Sequence, residues 1–318
     1  MPKIIGKTKF AAHFSLKSLI YVCVVCASTS GCIAPRSMMD SGKVTPKNQI
    51  KAGFNYSINI PTQTIKNAVE AIKTADDDTI YSDALNRSAR YLFAYALDPL
   101  FVGMNYYARY GVISRFDIGY KYASGTHCID ARYQFLGSLR AIGSVSDKAP
   151  YGSIGLQYSS TKYKLPFGFD KIQDRLGFDL KRKDIMIPLI FSLSLGDDEK
   201  IGHIAIGIVY NHTFLEYGYD PKGVYDIQSK LPIAAKHFKK NYPSFGAFGN
   251  LKVGYKYIYF LASFSVYYQN YGNFTMLDGS MENFSGYTFV PSFGFQIIIP
   301  PLGKKKQAVP DRHEQYLR

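Results

Sequence analysis

The chain has 318 residues, a formal net charge of +14, 27 Tyr and 22 Phe without a single Trp, and four Cys. That length holds one large domain or two small ones, and so few cysteines exclude a fold built on disulfides. A basic balance suits nucleic acid or an anionic surface, and the export signal at the start of the chain decides against nucleic acid.

Met1 to Lys17 carries Lys3, Lys7, Lys9 and Lys17 and no acidic residue. An apolar core from Leu19 to Ala27 follows, far short of the ~20 residues a spanning helix needs. A basic start, a short apolar core and then small residues describe a secretory signal that is removed. Residues 1–31 are therefore read as a signal peptide, leaving about 287 residues and +10 of the +14 once four signal lysines are gone. The alternative is an N-terminal segment kept as a membrane anchor.

Thr29-Ser30-Gly31-Cys32 resembles the lipobox of bacterial lipoproteins. The resemblance implies that Cys32 becomes the acylated first residue of the mature chain, and Ile33 behind it implies the outer membrane as destination. Thr29 departs from the usual Leu or Val, and cleavage near Ala27 with Cys32 left free is the competing reading. Cys23 and Cys26 leave with the signal, so Cys128 stands alone and reads as a small apolar residue.

Residues 32–48 read as a polar linker. From Gln49 the hydrophobic period becomes two: Ile50, Ala52, Phe54, Tyr56 and Ile58 alternate with Lys51, Gly53, Asn55 and Ser57. The same period predicts further strands at 102–110, 116–122, 129–135, 153–158, 186–193, 204–211, 251–256, 262–269 and 288–297. That makes ten strands, an all-β chain with one polar face and one continuously apolar face bearing Tyr near its ends. Alternation also fits a soluble sandwich. An apolar face with aromatic girdles and a face of Gly, Ser, Asn, Gln and charge fit a membrane-spanning antiparallel barrel over 49–299.

The connections are a second test. Links at 111–115, 137–150, 196–200 and 257–258 are mostly short, whereas of the links at the other end 59–99, 159–184, 214–243 and 271–286 are long and only 123–127 is short. Short periplasmic turns and long outer loops are the asymmetry of bacterial barrels, and it puts both termini on the periplasmic side, with 300–318 as a periplasmic tail. Within 61–97 the period turns helical, with Ile65, Val69 and Ile72 on one face, so a helical hairpin is predicted between the first two strands. It reads as a lid or as a partner-binding element.

The run Tyr107-Ala108-Arg109-Tyr110-Gly111-Val112-Ile113-Ser114-Arg115-Phe116-Asp117-Ile118-Gly119 resembles a hairpin common in small outer-membrane barrel proteins, many of them lipoproteins. Ser292 to Ile299 is similar to the terminal strand signal read by the barrel assembly machinery, which the resemblance implies as a partner during insertion.

Parity assigns Lys51, Arg109, Asp117, Lys121, Asp130, Arg132, Lys252 and Lys256 to the lumen, as a structural charge network or a narrow ion path. Lys162, Lys164, Lys171, Arg175, Lys181, Arg182, Lys183, Lys222, Lys230, Lys236, Lys239 and Lys240 fall in the outer loops, where they could draw lipopolysaccharide phosphates, other outer-membrane lipid or an unidentified surface partner. His127, Asp130 and His212 are the candidates for a surface protease or acyl hydrolase, but parity points both histidines outward and Asp130 inward, against a dyad. No zinc spacing, phosphate loop or nucleophile elbow is present, so no metal and no cofactor is expected. The leading expectation is a non-enzymatic barrel with a structural or surface-interaction role, ahead of a narrow channel and a surface enzyme.

Overall fold

The computed structural model describes residues 35–73, 90, 93–137, 150–162, 177, 179–220, 235–275 and 280–300. In chain order the elements are β1 (Ile50–Pro61), α1 (Thr62–Lys73), β2 (Phe101–Ile113), β3 (Phe116–Ala123), β4 (Thr126–Leu136), β5 (Pro150–Lys162), β6 (Asp179–Leu195), β7 (Gly202–Tyr219), β8 (Lys236–Tyr255), β9 (Ile258–Gln269), β10 (Asn273–Thr275), β11 (Met281–Asn283) and β12 (Gly286–Ile299). Ten of these strands form one closed antiparallel barrel, and β10 with β11 makes a separate small hairpin. Closure comes from pairing of the first and last barrel strands, with Ile50 opposite Ile299 and Phe54 opposite Phe295. The closed barrel itself leaves no strand edge unpaired.

All ten predicted barrel strands are present with the predicted parity. Side chains on one face, such as Ile129 and Ile206, are each 64% exposed on the outside, while Asp117, Ser153 and Ser265 are fully buried inside. On β6 the outward row Ile185, Ile187, Leu189, Phe191 and Leu193 rises ~26 Å along the strand at ~3.3 Å per residue. With strands tilted by ~40° that is a band of roughly 20 Å, close to the apolar belt of a membrane barrel. Outward tyrosines lie near both limits of the band, Tyr110, Tyr133 and Tyr255 at one and Tyr122, Tyr210 and Tyr287 at the other.

Two-residue or short turns join β2 to β3, β6 to β7 and β8 to β9 at one end, where Arg115 and Lys256 take positive φ of 68° and 59°. The opposite end carries the long connections and will be called the long-loop end. There β6, β7 and β8 run 17, 18 and 20 residues, well beyond the 9–11 that cross a bilayer. Much of the predicted loops 159–184 and 214–243 is therefore strand, projecting past the apolar band.

The predicted helical hairpin is present only in part. α1 and a helical turn over 93–97 belong to it, and the residues joining them lie outside the described ones. Thr62 and Thr64 at the start of α1 reach across: the Thr62 hydroxyl donates to the Tyr287 carbonyl at 3.0 Å, and Thr64 to the Asp98 carbonyl at 2.6 Å. Phe93 and Leu97 pack with Leu180, Leu215, Tyr217 and Tyr242 from the inner faces of β6–β8 and with Phe274 and Phe284 from the β10–β11 hairpin. This apolar cluster covers the long-loop mouth. The β10–β11 hairpin was not foreseen, since three-residue strands carry too little period to read.

The main departure is the supposed linker. Arg36, Ser37, Met38, Met39, Ser41, Val44 and Thr45 are all buried, because residues 35–45 lie inside the barrel and 46–48 emerge exposed at the short-turn end. Lys47 bridges Gly111 at the short-turn end, and Arg36 pairs with Asp98 at the long-loop end, 2.7 Å apart. A polar sequence reads as a solvated linker, but a lumen lined with polar side chains solvates the same groups by direct hydrogen bonds.

Candidate functional site in the lumen

The inner faces of β2, β3 and β4 bring Arg109, Asp117, Asp130 and Arg132 together. Asp117 receives Arg109 Nη1 at 2.8 Å and Arg132 Nη2 at 2.9 Å, and its Oδ2 also accepts the Thr45 backbone N–H at 2.7 Å. Arg109 reaches Asp130 at 2.6 Å. Asp40, from the segment inside the lumen, lies 3.4 Å from Arg109 and 3.3 Å from Arg132. Lys121 donates to the Ser37 carbonyl at 3.0 Å. Each strand charge is thus matched by a strand carboxylate or by the inserted segment, as charges held away from bulk water require.

A second group sits toward the short-turn end. Lys252 meets Glu199 at 3.0 Å, and His203 lies 3.4 Å from the same carboxylate and 3.0 Å from Asn250. Glu199 comes from the 3-10 turn Asp197–Glu199, where its φ is 62°. Burial opposes ionisation of Glu199, but Lys252 and His203 beside it hold its carboxyl well below the usual carboxylate range. Lys51 is buried on the inner face nearby.

A third group closes the long-loop end. Arg182 grips Asp184 through Nε at 2.8 Å and Nη2 at 2.9 Å and donates to the Leu97 carbonyl at 3.1 Å. Asp98 accepts from Arg36 and from Asn59, both at 2.7 Å. Strand interior, inserted segment and covering turn are thereby tied at one place.

Seven of the eight predicted lumen charges, Lys51, Arg109, Asp117, Lys121, Asp130, Arg132 and Lys252, face inward. Lys256 does not. It occupies the exposed β8–β9 turn with its ammonium 4.9 Å from the Tyr255 ring centre, because the strand ends one residue earlier than the period suggests. Arg182 is corrected in the opposite direction: it was assigned to an outer loop, but extension of β6 to Asp179 puts it on the inner face, buried beside Asp184. Of the other predicted loop bases, Lys181, Lys183, Lys236 and Lys239 are exposed and Lys240 is partly buried, with its ammonium 4.6 Å from the Phe274 ring centre. Lys162 ends β5. Lys164, Lys171, Arg175, Lys222 and Lys230 lie outside the described residues.

Asp40, Asp98, Asp184, Glu199 and Arg36 were not foreseen. A signal existed. The predicted lumen set held six bases and two acids, a surplus of charge that a narrow lumen does not tolerate, so acids had to arrive from elsewhere. Asp40 is the acidic residue of the segment 35–49. The histidines are as parity requires: the Tyr120 hydroxyl bonds His127 at 2.7 Å and the Tyr210 hydroxyl bonds His212 at 3.1 Å, both on the outer face, while Asp130 points inward to Arg109. These three do not meet.

Glycine permits the close approach of the inserted segment. A Cβ on Gly111 would collide with the Pro46 carbonyl, and one on Gly42 with that of Tyr151. The Gly42 N–H donates to Ser192 Oγ at 3.0 Å.

No family model matches the chain, and no curated protein matches it. Among solved structures it is similar to Ail, the attachment invasion locus protein of Yersinia pestis, at 7% identity and a TM-score of 0.30, over 80% of this chain and 99% of that one. Neisserial surface protein A follows at 9% identity and a TM-score of 0.29, over 78% and 95%. The N-terminal β-barrel domain of Pseudomonas aeruginosa OprF gives 6% identity and a TM-score of 0.22, over 80% and 100%. The assignment of this chain to the closed antiparallel barrels rests on its own strand pairing.

Proposed function

We propose that the chain is a bacterial outer-membrane barrel, lipidated at Cys32 after removal of residues 1–31, with its long-loop end outside the cell and a non-enzymatic structural or surface-binding role. The observation that carries this reading is the outer surface: a closed barrel whose outward face is apolar all round, between two tiers of tyrosine. Monomeric soluble proteins rarely expose contiguous apolar patches beyond a few hundred Å², and a lipid bilayer is the solvent that suits such a belt.

The surface-binding element in this reading is a basic row just beyond the belt. Register places Lys162 beside Lys181, Lys181 beside Glu216, and Glu216 beside Lys239 on four adjacent strands. Lys183 lies one outward position nearer the belt, opposite Phe214. Three lysines and one glutamate in a row leave a net positive stripe at the height of lipid headgroups. Lipopolysaccharide phosphates are its natural counterions.

The filled lumen speaks against a solute path, and the separation of His127 and His212 from Asp130 speaks against the hydrolase reading. The test of the proposal is fractionation followed by lipid binding. The full chain is expected in the outer-membrane fraction, and the purified barrel is expected to hold more lipopolysaccharide than the triple variant Lys181→Gln, Lys183→Gln, Lys239→Gln. Equal binding by both would remove the stripe from the proposal, and recovery in the soluble fraction would remove the membrane reading altogether.

A further inference from the structure

Residues 35–49 run the length of the lumen in one direction. At the short-turn end the Asn48 N–H donates to the Gly111 carbonyl at 2.8 Å. Further along, Arg132 donates to the Ser41 carbonyl at 3.1 Å and Asn250 to the Asp40 carbonyl at 2.9 Å. At the long-loop end the Tyr267 hydroxyl donates to the Arg36 carbonyl at 2.8 Å, and the Arg36 guanidinium holds Asp98. Chain direction is therefore fixed by bonds at both ends: going toward the amino terminus, the backbone travels from the short turns to the long loops.

A return through the barrel would need a second pass. A ten-stranded barrel is little wider inside than its own side chains, and here the inner side chains already close on the first pass. The segment is held on one side by Arg109, Arg132 and Asp117 and on the other by the cluster of Met38 with Met186, Ile190, Val209, Phe248 and Tyr267. Among the described residues, the side chains around the segment leave no cross-section for a second strand.

We infer that the chain preceding Pro35 leaves the barrel at the long-loop end, so that the mature amino terminus is displayed there, on the side opposite the C-terminal tail. The sequence reading had placed both termini on one side. The inference concerns which end of the barrel the terminus shares, and it joins the proposed function only in naming that end as the cell exterior and Cys32 as acylated. On that reading the acyl chains enter the outer leaflet from outside. Four residue steps separate Cys32 from Arg36 and span at most ~14 Å, under half of the ~30 Å hydrocarbon layer.

The experiment uses three variants of the full chain, each with one epitope: between Ala34 and Pro35, within 220–235, or after Lys306. Antibody labelling of intact and of permeabilised cells assigns each epitope to a side, and heat-modifiability on gels verifies that each barrel has folded. A less intrusive variant, Ala34→Cys read with a membrane-impermeant maleimide, repeats the first position without an insertion. The expected result is that the 34/35 epitope labels on the same side as the 220–235 epitope and opposite the tail. Labelling of the 34/35 epitope together with the tail would overturn the inference. If the 34/35 and 220–235 epitopes share the cell interior while the tail is outside, the inference stands and the orientation in the proposed function fails. Palmitate labelling of the wild type against Cys32→Ala tests the lipid separately.

Discussion

The two sides of the lumen are built differently. The arc from β2 to β4 presents Arg109, Asp117, Asp130 and Arg132, whereas the arc from β6 to β8 carries an apolar middle, Met186, Ile190, Ala205, Val209 and Phe248, between Arg182 with Asp184 at one end and Lys252 with His203 at the other. The inserted segment matches both, with Asp40 on the charged side and Met38 on the apolar side. A wet pore would not carry such an apolar patch against the segment, and a plain apolar core would not bury two arginines. The contrast shows that the segment is a fitted part of the interior, recognised by charge on one side and by shape on the other.

The broadest way to break this comparison is to remove its common partner. Deletion of residues 35–48 should uncover the charged arc and turn a sealed barrel into a conducting one. Planar-bilayer recordings are expected to show discrete openings for the deletion and none for the full chain; silence from a folded deletion variant would mean that the segment does not seal the lumen.

Next in size is the charged side alone. Asp117→Ala removes the acceptor of two guanidinium groups and of the Thr45 N–H, and breaking a buried ion pair by deleting one partner costs about 3–5 kcal/mol. Urea unfolding of vesicle-reconstituted protein, followed by circular dichroism since the chain has no Trp, would read it. The apolar side should yield somewhat less: Met38→Ala is expected to cost about 2–3 kcal/mol, toward the lower end of the range for a core Met. A loss below ~0.5 kcal/mol in the same assay would mean that Met38 is only loosely seated.

A pH effect tests the short-turn group. Glu199 has a folded pKa depressed below its unfolded value of ~4.3. Its contribution to stability is therefore complete above pH ~4.3 and is lost as the pH falls toward the folded value. Acid unfolding of the wild type should steepen below that point, and Glu199→Gln should flatten the curve there. The smallest effect belongs to the outer rim, where Lys239 and Glu216 pair at 3.2 Å in the open. Lys239→Ala should change stability by less than ~1 kcal/mol, so a larger loss would show that the rim is structural.

Several particulars separate what could be read from what could not. Strand identity was legible because a period of two requires no knowledge of neighbours: Ile129 outward and Asp130 inward follow from a pleated backbone alone. Ends of strands were less so, and the errors at Arg182 and Lys256 share that cause. A long loop and a strand projecting beyond the apolar belt have the same polar composition, and only pairing of β6 with β7 from Asp179 to Leu195 tells them apart. The β10–β11 hairpin escaped for a similar reason, since its Phe274 finds partners only across the mouth, whereas the turn at 93–97 falls within the helical stretch read at 61–97.

By itself, the sequence determined an all-β chain, ten alternating strands, the face of each side chain in those strands, and the outward direction of His127 and His212. These are consequences of local backbone geometry and of which face tolerates lipid. Tertiary structure alone decided what fills the barrel. Asp40, Met38 and Arg36 sit in a stretch with no period, and their roles come from contacts with residues far along the chain, such as Asp98 at Arg36 and Phe248 in the cluster around Met38. A linker and a plug can share one composition, because a lumen rich in hydrogen-bonding groups substitutes for water.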